Sequence, residues 1–96
     1  MTRRGYIYMM SDRYRGAIYT GATGDIRQRV HQHRTGSGSD FCRRYGLTRL
    51  VYVDGTELII DANSRERQIK RWRREWKIEL IESINPNWLD LFDTLH

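Results

Sequence analysis

Ninety-six residues, 39% of them apolar and three of them tryptophan, make one small domain, 1–96, with a core and no room for a second. A single cysteine, Cys42, excludes a disulfide-stapled scaffold, and His31 and His33, with no Cys-x-x-Cys spacing beside them, are too few and too close for a four-ligand zinc site. The net charge of +5 is uneven: residues 1–50 carry +7 and residues 65–77 carry +5, while 51–64 and 79–96 hold no basic residue. That polarity suits a polyanionic partner, nucleic acid being the commonest, or a solvated surface that keeps the chain soluble.

Residues 5–10 alternate in strand fashion, with Tyr6, Tyr8 and Met10 on one face and Ile7 and Met9 on the other. Residues 12–16 read as a turn, and Ala17 to Gly21 as a second, antiparallel strand. Asp25, with Gln28 three residues later, predicts a capped helix that turns Ile26 and Val30 inward and ends near Gly36. Residues 36–39, Gly-Ser-Gly-Ser, predict a flexible loop, and 41–45 a short helical turn. Leu50 to Val53 is the clearest buried strand. One long helix is predicted from between Ile60 and Ser64 to about Glu82, with a core stripe of Ala62, Ile69, Trp72, Trp76 and Leu80. Asn85-Pro86 stops it, and 87–92 suggests a last short helix packing Trp88, Leu91 and Phe92. The fold class is α+β, a small three-stranded, largely antiparallel sheet flanked by helices in the order β-β-α-β-α-α, built as two layers.

No apolar run approaches a membrane span, and no signal-peptide region follows Met1, so the expected location is the cytoplasm, with no membrane partner.

Several residues can carry chemistry. Tyr8 and Tyr19, in adjacent strands, present two phenols that donate, accept or pass a proton, or serve only as cross-strand packing. Arg29 and His33, four apart, share a helix face. The guanidinium suits a phosphate and its growing charge, and the imidazole suits a water, a phenol or a base's role. Glu66, among arginines, is either a magnesium ligand or half of a capping box with Asn63. Arg27, Arg43, Arg44, Lys70, Arg71, Arg74 and Lys77 are candidates for phosphate contacts, and a charged arc suits these better than base readout. Arg43 and Arg44 are the neighbours that would activate Cys42 as a nucleophile, but no base partner is apparent for it.

In their joint order these residues resemble the GIY-YIG nuclease family. Tyr6-Ile7-Tyr8 stands where that family has Gly-Ile-Tyr, and Tyr19-Thr20-Gly21 where it has Tyr-Ile-Gly; Arg29 lies ten residues beyond Tyr19 and His33 four further on. Glu66 matches the family's metal ligand. Residues 65–72 and 85–88 resemble its short single-domain bacterial branch, related to the UvrC N-terminal domain. Tyr6 in place of Gly and Thr20 in place of Ile are the departures. The resemblance implies a DNA endonuclease acting in repair, recombination or processing, with one Mg2+ or Mn2+ on Glu66 and with Tyr8, Tyr19, Arg29 and His33 as catalytic residues. It also implies Asn85 as a supporting residue and DNA as partner, with a protein partner as one source of specificity. The alternatives are a non-catalytic basic nucleic-acid module on the same fold and a small protein-interaction domain.

Overall fold

The computed structural model describes residues 3–95. Three strands, β1 (Gly5–Ser11), β2 (Ile18–Thr23) and β3 (Arg49–Thr56), form one antiparallel sheet in the order β2-β1-β3. Every residue of the central strand β1 except Tyr6 is buried, as a strand covered on both faces requires. The expected alternation holds. Ile7 and Met9 enter one apolar cluster with Val51, Tyr52, Ala62, Ile69, Ile81 and Trp88; Tyr8 and Met10 enter another with Ile26, Val30, Cys42, Leu47 and Leu50. Val51 and Tyr52 are chain neighbours in the same cluster because the β1–β3 register shifts between Met9 and Met10, which leaves Val51 as the extra residue of a bulge.

Helices cover both faces, so the molecule has three layers where the sequence suggests two. α1 (Ile26–Thr35) and α2 (Asp40–Tyr45) lie on the Tyr8 face, α3 (Ile59–Lys70) and α4 (Arg74–Ile84) on the Ile7 face. The Asp25 carboxylate caps α1 by accepting the Gln28 N–H at 3.1 Å. Residues 36–39 are not a free loop: Ser37 and Gly38 donate their N–H groups to the Gln32 carbonyl at 2.9 and 3.0 Å, and Ser39 caps α2.

The expected long helix is two helices. It starts earlier, at Ile59 with Leu58 as N-cap, so Asn63 and Glu66 are interior positions and form no capping box. It breaks at Arg71–Arg73 without a Pro or Gly. Lys70, Arg71, Arg73 and Arg74 crowd like charges at one-turn spacing there. Arg74 then donates to the carbonyls of Arg15 and Gly16 at 2.5 and 2.8 Å, which fixes the start of α4. Trp72 falls in the break and stays half-buried, while Trp76 is 47% exposed and is not a core residue. The last predicted helix is only a 3-10 turn at Phe92–Thr94. Trp88 is nonetheless fully buried, its indole N–H donated to Glu82 at 2.7 Å. No helix among the described residues is long and apolar enough to cross a membrane.

Candidate active site

The turn from β1 to β2 brings the two tyrosines to the same face of the sheet, against α1. Tyr8 pairs directly with Gly21 across the strands. A methyl group on Gly21 would lie 2.5 Å from the Tyr8 hydroxyl, so the absent side chain is what lets the phenol lie over β2. The Tyr8 hydroxyl meets His33 Nε2 at 2.8 Å. On the other side of the ring, His33 Nδ1 accepts the Ser39 N–H at 3.4 Å. Nδ1 is therefore the acceptor and Nε2–H the donor, and Tyr8 oxygen receives that hydrogen. Gly38 makes room for this ring, since a Cβ there would sit 2.6 Å from Nδ1.

Tyr8, Tyr19 and His33 form a triangle of rings with centroids 6.3, 5.5 and 5.3 Å apart. Arg29, one turn before His33 on α1, completes the group. Burial pushes the Tyr8 phenol well above the usual tyrosine range, with the Arg29 guanidinium beside it pulling the other way. His33 is pushed down, by burial first and then by the Arg29 charge, so it is neutral at neutral pH. Tyr19, Arg29, Gln32, His33 and residues 37–39 line an open cleft of about 340 Å3. Tyr8 lies beneath it, fully buried.

Glu66 is tied to this group through Lys70, at the edge of the sheet. β2 is an edge strand, α3 packs across it, and Lys70 Nζ lies 5.8 Å from the Tyr19 ring centroid. The same ammonium holds Glu66 Oε1 at 2.9 Å, an i,i+4 pair on α3. The five residues singled out in the sequence are thus linked in one continuous chain of contacts, with Lys70 as the joint between the carboxylate and the tyrosines.

A model of the GIY-YIG catalytic domain matches residues 4–79, which hold all five. The chain belongs to the GIY-YIG nuclease family. A UPF0213 protein of Clostridium perfringens is 35% identical over 78 residues, covering 81% of this chain and 83% of its own. A UPF0213 protein of Staphylococcus aureus (strain Mu3) is 35% identical over 77 residues, covering 80% and 90%. The solution NMR structure of the UPF0213 protein BH0048 from Bacillus halodurans superposes with a TM-score of 0.51 at 29% identity, covering 82% of this chain and 83% of that one. The α+β fold is thus shared with this UPF0213 protein.

Other residues expected at the site lie elsewhere or are occupied. Asn85 falls outside the matched range. It donates to the Val51 and Leu89 carbonyls at 3.0 and 2.8 Å and accepts the Leu89 N–H at 3.0 Å, so its amide fastens the C-terminal segment to the outer edge of β3. It supports the sheet on the side away from β2. Arg27 donates to the Leu95 carbonyl, and Arg74 is held by the β1–β2 turn. Arg43 pairs with Asp40 at 3.0 Å. Arg44, Arg71 and Lys77 have no ion-pair partner among the described residues and remain open to phosphate. Cys42 is buried, and burial pushes its thiol up to about 11, so it is an inert core residue and no nucleophile. Sequence reading passed over Lys70 as the partner of Glu66, which the i,i+4 spacing signals, and the exposed rings of α2.

Proposed function

We propose that this protein is a metal-dependent DNA endonuclease, and the observation that carries the reading is the packed group Tyr8–His33–Arg29–Tyr19 joined through Lys70 to Glu66. No group of three metal-binding side chains exists among the described residues. A lone carboxylate still suits Mg2+ or Mn2+, which keep waters and take phosphate oxygens from substrate. Glu66 would hold the ion, which supplies Lewis-acid stabilisation of charge on the scissile phosphate. Arg29, which lines the cleft, would add a fixed positive charge. Tyr8 is the group this geometry favours as base: its own proton would first pass to solvent, and the resulting phenolate would take the proton of the attacking water. The Tyr8 oxygen receives the His33 Nε2–H and faces Arg29, and both favour the phenolate against the burial that opposes it. Tyr19 lines the cleft in which the water and phosphate would meet.

The Glu66–Lys70 pair also fits a basic binding module in which Glu66 only neutralises a lysine. Cleavage separates the two. Purified protein is incubated with labelled single-stranded, duplex and branched DNA in magnesium, manganese or chelator, beside Glu66→Ala. The nuclease reading expects metal-dependent product, reduced about 10²-fold or more in the variant. No product from any substrate, with salt-sensitive binding retained, leaves the binding module standing.

A further inference from the structure

The two arginines of α2 flank a feature the reaction does not use. Phe41 and Tyr45, four apart on this six-residue helix, are 43% and 53% exposed. Their ring centroids lie 4.9 Å apart. Phe41 also stacks on Tyr19, 6.4 Å away at an interplanar angle of 29°. A stepped row of rings therefore runs from the wall of the cleft out to solvent. It borders a recess of about 430 Å3 lined by Asp40, Phe41, Arg43, Arg44 and Tyr45. Packing accounts for little of this row: Cys42 is the helix's only buried residue.

We propose that α2 is a base-stacking shelf that receives unpaired nucleotides of a DNA strand next to the bond held in the cleft. This rests on the nuclease reading for the location of that bond. Flat aromatic faces flanked by cations are the chemistry of single-strand binding, because every base has a π-face and every linkage a charge. Phe41 and Tyr45 supply the faces. Arg44, with no ion pair among the described residues, and Arg43, held by an exposed pair with Asp40, supply the charge. The row is continuous with the candidate site through Tyr19, so a strand lying on it has its phosphates delivered to Arg29 and His33. A base-paired duplex has no free base faces to offer the shelf except at its ends. The substrate class that follows is single-stranded DNA, or a frayed or flapped region of a branched one.

The test measures binding, in chelator, so that cutting does not enter. An oligonucleotide carrying 2-aminopurine is added to the intact protein, and its emission is expected to quench as the base stacks. Anisotropy with a labelled single strand and a blunt duplex then compares Glu66→Ala with the same protein carrying Phe41→Ala and Tyr45→Ala. Single-strand affinity is expected to fall about tenfold and duplex affinity by less than about twofold, while Phe41→Trp with Tyr45→Phe keeps both. No quenching in the intact protein overturns the shelf. Equal losses on both substrates overturn it too, as does failure to bind either substrate, which would turn α2 toward a protein partner. Single-strand binding through the shelf with no cleavage by the intact protein in metal leaves the shelf standing and removes the nuclease reading.

Discussion

In the proposed metal site, Lys70 competes with the cation for Glu66. Its ammonium sits on the carboxylate at 2.9 Å and reaches over Tyr19, so it fills the place between them. The Lys70 side chain is half exposed, at 50%, and Glu66 less so, at 17%. An i,i+4 pair of this kind contributes only about 0.2–1 kcal/mol, which a divalent ion readily overcomes. Removing the lysine should therefore free Glu66 modestly. Lys70→Met is expected to tighten Mn2+ binding in the absence of DNA by about two- to fivefold, read from the electron paramagnetic resonance of free Mn2+. An unchanged affinity would mean that the ammonium does not compete for the carboxylate. Gly21 and Gly38 act at the same scale by what they omit: each leaves a space that a ring of the site fills.

β2 carries the site on one face and a local flaw on the other. Tyr19 points to the cleft, while Ile18 and Ala22 pack on the opposite cluster; Thr20 shares their alternation and is 4% exposed. Its hydroxyl has no hydrogen-bond partner among the described residues, and it stands where the family usually has Ile. An orphaned buried hydroxyl costs about 1–3 kcal/mol, and an apolar group of the same shape removes that cost. Thr20→Val is thus expected to raise the midpoint of thermal unfolding without changing cleavage. A lower midpoint would show that the hydroxyl is hydrated or bonded in solution. The break between α3 and α4 is equally an element-level matter, since Arg74 must leave the α3 axis to reach the β1–β2 turn.

Across the whole molecule, charge is sorted by use. The acidic stretch 79–96 is partly neutralised by partners from the first half: Glu82 binds Arg15 through two hydrogen bonds of 2.7 and 2.8 Å, and Asp90 binds Arg34. Arg15 and the Trp88 indole hold the Glu82 carboxyl down at about 2, so this tie persists through ordinary acid conditions. Arg44 on α2, Arg71 at the α3–α4 break and Lys77 in α4 are unpaired among the described residues. With three to five such contacts, binding of single-stranded DNA should weaken with salt at a slope of about −2 to −4 in log K against log salt. Titration by fluorescence anisotropy between low and physiological salt checks this, and a slope near zero would assign the charge to solubility alone.

The residues of the candidate site were legible in sequence because they sit on local patterns. A period of two places Tyr8 and Tyr19 on one sheet face, a four-residue step places Arg29 and His33 on one helix face, and the Asp25 cap sets where that helix begins. These follow from backbone geometry over a few residues, so the chain alone determined them. What depended on distant partners did not show. Glu66 also read as a cap until Leu58 proved to start α3, and its link to Tyr19 through Lys70 exists only because that helix packs on β2 at the sheet edge. Trp76 read as core until the helix broke beneath a row of like charges and left it in solvent. Asn85 read as part of the site until the strand order put β3 on the far side of β1, where its amide closes the sheet edge. Tertiary structure decided each of these, because the energy that placed the residue lies in contacts with segments 34 or more positions away, such as Val51 for Asn85, or the Gly16 carbonyl for the Arg74 that opens Trp76's helix.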